Sequence, residues 1–274
     1  MIFDKNAETE QLNQCIDVLG NATRHIKSPI LKALNIFEMV ENSLEQRDDF
    51  YEIKQLKKAR KHFYEAVRIS YNMDLYTNLF IQQKEVEFVP TYLNELFRDI
   101  LSSIALSLRG SNIKFDYKVT DTPIVSLVAP TLIGSMLMNI IHNSCTFVSP
   151  DLEIFVTIEE KDNGYSITVT DSGVGIESQD ISRIFEAGHS HNPNDPVVAG
   201  IGLGLTVASE IIRRHSGNVV ISSEENQGTT ISMRFPINTP PRENMVRSTA
   251  YLNFEDRLSP VRVFMGSLDL EKYD

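Results

Sequence analysis

Three short segments constrain this chain more than anything else in it: NIIHN at Asn139 to Asn143, DSGVGI at Asp171 to Ile176, and GIGLGL at Gly200 to Leu205. One lies on a helix, one at a strand end and one ahead of a helix. Asn139 and Asn143 stand four apart in an apolar helical pattern from about Leu132 to Phe147, so both amides project from one face. Asp171 ends a strand, where Gly173 and Gly175 let the backbone approach a neighbour closely. Gly200, Gly202 and Gly204 precede a helix predicted from about Leu203 to His215. Bringing a helix face, a strand end and a helix start together calls for helices layered on a sheet.

The surrounding pattern agrees. A helix is predicted over Tyr92 to Arg109, followed by alternating residues from Ile113 to Val119. Leu152, Ile154, Val156 and Ile158 alternate on one strand, and Tyr165, Ile167 and Val169 on the next, with a turn at Asp162 to Gly164. Gly217 is placed to stop the Leu203 to His215 helix as a left-handed cap. Val219 and Ile221, then Ile231, Met233 and Phe235, supply a last hairpin. The reading is a two-layer α/β sandwich over residues 86–237.

Residues 1–85 read differently. Leu12, Ile16, Leu19, Thr23, Ile26, Ile30, Ala33, Phe37 and Val40 follow a 4-3 spacing, a coiled-coil-like seam on a long helix that Pro29 should kink. After a break near Glu45 to Phe50, a second helix carries Leu56, Ala59, Phe63, Ala66 and Met73. Two such hairpins cover both seams when they pair as a four-helix bundle, so a homodimer is expected. The whole is an α+β chain: helical hairpin, sandwich domain, and a tail at 238–274 without clear period.

Composition narrows the partners. A net charge of −11 over 274 residues argues against nonspecific nucleic-acid or anionic-membrane binding. The run Lys54, Lys57, Lys58, Arg60 and Lys61 reads as a solvated helix face or a docking patch. Cys15 and Cys145 lack metal spacing, and Cys145 reads as a buried reduced thiol. No apolar run approaches a bilayer span, and the start lacks a signal pattern, so a cytoplasmic protein is expected. His189 and His191 sit in a polar loop with Asn192 and Asp195, but no third strong ligand is fixed by spacing.

The chemistry of the three segments converges on a nucleotide. An amide oxygen is a neutral hard ligand suited to Mg²⁺ that already carries phosphate oxygens. A carboxylate at Asp171 can accept from the exocyclic amine of adenine. Free N–H groups and the positive end of a helix dipole after Gly204 favour phosphate. No Walker-type phosphate loop occurs. Taken singly, each segment has an ordinary explanation: surface amides, a strand-to-loop turn, a flexible loop.

In order, they resemble the ATP-binding catalytic domain of bacterial sensor histidine kinases. NIIHNS is similar to the N box, DSGVGI to the G1 box, IFEAG at Ile184 to Gly188 to the F box, and GIGLGL to the G2 box. Gly228, Thr229 and Thr230 resemble the closing glycine-threonine element. The resemblance implies Mg²⁺ on Asn143 and adenine on Asp171. It implies ATP contacts from Asn139, Thr146, Gly173, Gly175, Phe185, Gly200, Gly202, Leu203, Gly204 and Thr229, and a mobile lid at about His189 to Ala199. It also implies a homodimer working with a response-regulator receiver domain or another kinase; no sensor segment is legible, so input is expected from a separate sensor protein, the tail or a small ligand. Two positions depart from the family: Thr146 stands where a lysine is common, and His142 where a carboxylate often precedes the second asparagine.

TRHIKSPI at Thr23 to Ile30 resembles the family's phosphoacceptor motif, but out of register. Anchoring on Pro29 puts Arg24 at the acceptor position and His25 at that of the acidic base. His25 lies off the apolar seam, so its imidazole should be accessible, but Ile26 cannot orient it or accept its proton. Arg24 cannot act as a nucleophile, because its guanidinium stays protonated. Three readings stay open. His25 is phosphorylated by a shifted catalytic domain; or the chain binds ATP and signals by conformation and docking without autophosphorylation; or it belongs to a chaperone, topoisomerase or mismatch-repair branch of the same ATPases.

Overall fold

Alternation of apolar and polar residues builds one five-stranded sheet, and amphipathic helices cover its apolar face. The structure, a computed structural model, describes residues 29–30, 32–45, 50–146, 152–188, 202–238 and 259–268. The chain divides into two units, Met1–Lys84 and Glu85–Asp274.

In the first unit, helix α1 is described over 29–30 and 32–45 and α2 covers Phe50–Tyr76, continuing into a π-helical turn at Thr77–Ile81. Phe37 meets Phe63 edge-on at 4.9 Å, and Arg60 pairs with Glu41. The buried track differs from the predicted one. Ile30 and Leu34 are buried, whereas Val40 is 40% exposed beside Ile36 at 60% and Met39 at 72%. On α2 the track runs through Val67, Arg68, Asn72 and Leu75, and Ala66 faces solvent. The drift is physical: a straight α-helix turns at 3.6 residues while the seam repeats at 3.5. Lys54, Lys57 and Lys58 are exposed. The expected kink at Pro29 involves residues outside the described ones, as do Cys15, Arg24 and His25.

In the second unit, β1 (Val89–Tyr92) pairs antiparallel with β3 (Val125–Val128). Between them lie α3 (Leu93–Ser107) and β2 (Lys114–Val119). Then come α4 (Pro130–Thr146), β4 (Glu153–Lys161), β5 (Gly164–Asp171), α5 (Gly204–Arg214), β6 (Asn218–Glu224) and β7 (Gly228–Pro236). The sheet order is β2-β4-β5-β7-β6; β2 and β4 run parallel and the other pairs antiparallel. Ile154, Val156, Ile158, Tyr165, Ile167, Val169, Ile231, Met233 and Phe235 are all buried, as period-2 alternation requires. Asp162 and Asn163 both have positive φ, giving the tight hairpin between β4 and β5.

Two readings change here. The left-handed residue after α5 is Ser216, at φ 56°, not Gly217. Gly217 is required for another reason: a Cβ there would stand 2.6 Å from the Phe235 ring. The tail, which has no legible period, contributes a helix, α6 (Pro260–Gly266), to this unit, packed on α3 and α4. Ser259 accepts from the Arg262 N–H as its N-cap, and Pro260 takes the first turn, where no donor is needed.

Candidate functional site

The site forms where α4, the end of β5 and the start of β7 meet. Strand register sets Asp171 opposite Thr229, so the G1 carboxylate and the closing Gly-Thr element are neighbours across the sheet. One Asp171 oxygen accepts from the Gly173 N–H at 3.0 Å and the Thr229 N–H at 3.2 Å. Its other oxygen accepts from the Ser144 hydroxyl at 2.8 Å. Burial pushes the carboxyl above its ordinary value while those three donors pull it down. A carboxylate has about four acceptor positions, so this one is fixed by the protein while retaining capacity for a further donor.

Glycine is obligatory at two points of this frame. At Gly228, with φ +92°, a Cβ would lie 2.0 Å from the Asp171 carbonyl oxygen; at Gly175, with φ +71°, it would lie 2.1 Å from that of Glu224. The G1 loop therefore lies flat on the β6–β7 hairpin. The Asn226 N–H donates to the Val174 carbonyl at 2.7 Å, and the Ile176 N–H to the Ser223 hydroxyl at 2.9 Å.

The N-box helix is nearly all buried. Asn139 is buried, its amide donating to the Ser135 carbonyl at 3.0 Å, while Asn143 and Thr146 are half-buried. His142 is buried beneath α6. Cys145 is a buried thiol whose pKa is pushed up by burial and by the charge of Asp171. Phe185 is half-buried, and the Gly188 N–H donates to the Gly202 carbonyl at 3.3 Å, joining the F box to the G2 box. Gly202 has φ +64°, Leu203 is the N-cap of α5, and no side chain caps that helix. Gly200, the lid segment, His189 and His191 lie outside the described residues. Among the described residues no cluster of three or more acidic, His or Cys side chains could hold a metal. No described helix is long and apolar enough to cross a membrane.

The structure thus gathers Asp171, Gly173, Gly175 and Thr229 into one hydrogen-bonded frame tied to the N-box helix. Sequence reasoning missed Ser144, although it directly follows Asn143. A serine in that position gives no signal until its carboxylate partner is known.

Residues 129–239 match the family model for the histidine kinase-, DNA gyrase B-, and HSP90-like ATPase. The chain is 26% identical over 241 residues to the adaptive-response sensory kinase SasA of Gloeothece citriformis, covering 85% of this chain and 61% of that one. It is 28% identical over 146 residues to the sensor histidine kinase ZraS of Escherichia coli, covering 53% and 30%. The fold matches full-length ShkA, solved with AMPPNP, at a TM-score of 0.58 and 19% identity, covering 82% of this chain and 46% of that one. The chain spans less than two thirds of the length of each. An ATPase domain of this kind implies ATP binding. Residues 129–239 thus match a histidine kinase-, DNA gyrase B-, and HSP90-like ATPase domain, and a relative that the chain resembles well beyond that domain is a sensory kinase.

Proposed function

We propose that this protein is a dimeric, cytoplasmic two-component signalling protein that binds Mg-ATP in the cleft between α4, the G1 loop and the start of α5. The Asp171 carboxylate carries the reading. It is aimed by Ser144, Gly173 and Thr229, and it has acceptor capacity for the exocyclic amine of adenine. Gly173, Gly175 and Phe185 border the base. Gly200, Gly202, Leu203 and Gly204 lead into the uncapped N-terminus of α5, whose N–H groups suit phosphate oxygens. The half-buried Asn143 amide would hold Mg²⁺, with Asn139 and Thr146 alongside; when bound, the metal neutralises phosphate charge. The exposed strip Ile36, Met39 and Val40 on α1 supports the homodimer, because three large apolar side chains on one helix face call for cover.

Under this proposal a His25 nitrogen accepts the γ-phosphoryl and passes it to an aspartate of a response-regulator receiver domain, with input from a separate sensor. A second reading has its own support. Arg24 occupies the aligned acceptor position, and Thr146 supplies no cation where the family commonly has one. In that reading the protein binds ATP and signals through conformation and docking on a regulator or another kinase. Incubation with γ-labelled ATP separates them. Transfer predicts acid-labile, base-stable label that His25→Gln abolishes. Label retained in that variant contradicts both readings, whereas label never acquired by protein that binds ATP contradicts transfer to His25 and leaves the second reading standing.

A further inference from the structure

The C-terminal helix, packed on the N-box helix, also makes a polar contact with it at His142. His142 Nε2 lies 2.9 Å from the Ser267 hydroxyl, and His142 Nδ1 lies 3.3 Å from the Thr146 hydroxyl. The Thr146 hydroxyl also donates to the His142 carbonyl at 2.8 Å, and the Ser267 hydroxyl donates to the Phe264 carbonyl at 2.7 Å. Each hydroxyl has a single proton. Either neutral tautomer satisfies the set: with the proton on Nε2, Thr146 shares its own between the His142 carbonyl and Nδ1; with it on Nδ1, Ser267 shares its own between the Phe264 carbonyl and Nε2. In both cases the imidazole links the half-buried end of α4 to α6.

The surroundings leave these groups little freedom. The Phe264 ring stands edge-on to the imidazole at 5.9 Å and 81°. Val261, Val263, Phe264 and Met265 are buried, so α6 fills a seat on α3 and α4. Ser267 is itself buried. Moving α6 would take the Ser267 hydroxyl and the Phe264 ring away from the imidazole, which is itself within reach of the Thr146 hydroxyl.

We infer that His142 is a positioning residue through which the C-terminal segment 259–268 sets the Thr146 hydroxyl at the edge of the nucleotide site, making nucleotide affinity depend on that segment. The inference rests on the proposed Mg-ATP site, since Thr146 matters only if phosphate lies beside it.

A double-mutant cycle on Mg-ATP affinity in the full chain tests it. Ser267→Ala should weaken binding about three- to tenfold, the scale of one neutral hydrogen bond. Thr146→Val should weaken it by at least as much, and Ser267→Ala should then add nothing, because the link is already cut. A purely structural role for Ser267 predicts equal losses of melting temperature in both backgrounds and independent, additive effects on affinity. His142→Gln keeps an amide that can donate to or accept from Ser267 while losing the Nδ1 contact. It should melt near the wild type yet bind as weakly as Thr146→Val, and this arm decides the matter if Ser267→Ala does not fold. Additive losses, or unchanged affinity in His142→Gln, overturn the inference alone. Wild-type protein that takes up no Mg-ATP overturns the proposed function, and the inference with it.

Discussion

At the residue scale, the half-buried Asp171 and the buried His215 tie the site to the fold. Asp171 faces three protein donors, and burial still raises its pKa, so keeping it ionised costs free energy that a ligand amine would partly offset. His215 joins two helices. Its Nε2 accepts from the Ala129 N–H at the start of α4, and its Nδ1 lies 2.8 Å from the Ile211 carbonyl near the end of α5. Those bonds fix the neutral tautomer with the proton on Nδ1, and burial lowers its pKa below the ordinary histidine value. The unfolded chain therefore takes up this proton first as pH falls. Stability from His215 is full above about pH 6.5 and declines below it, until the folded state also protonates. Melting between pH 7.5 and 5 should fall less steeply in His215→Gln, whose amide oxygen can accept from Ala129, than in the wild type. Equal slopes would contradict the assignment.

At the element scale, legibility followed period and length. The strands β4, β5 and β7 were readable because alternation is strict where one face is buried, and α3, α4 and α5 matched their expected limits to within about two residues. The pair β1–β3 was missed, since four-residue strands offer too few repeats to count. Helix α6 was missed for a similar reason. Seven residues make barely two turns, and Val261, Val263, Phe264 and Met265 are buried almost all round, so no amphipathic stripe marks them. The Ser259–Pro260 start was its one visible sign. Gly217 was recognised as necessary but for the wrong cause, because the nearness of Phe235 is a tertiary fact. In the site, glycine spacing exposed the loops, while the Ser144–Asp171 bond and the burial of His142 depend on packing between helices and sheet.

At the scale of the whole molecule, the chain carries a helical unit with an exposed apolar strip and a second unit in which the C-terminal helix packs on α3 and α4. The strip makes the assembly testable. Met39→Glu should shift the protein from dimer to monomer in sedimentation equilibrium, because a charge buried in a helix bundle without a partner costs several kcal/mol. A dimer unchanged by Met39→Glu and by Ile36→Glu would show that this face is not the interface. The central claim is that Asp171 reads a nucleotide base, and calorimetric titration of Mg-ATP into the wild type and Asp171→Asn tests it most directly. The variant keeps the side-chain shape but turns an acceptor into an amide, and the account predicts heat of binding in the wild type and affinity at least about tenfold weaker in the variant, the scale of a hydrogen bond to a charged group. Equal affinity in both proteins would contradict it.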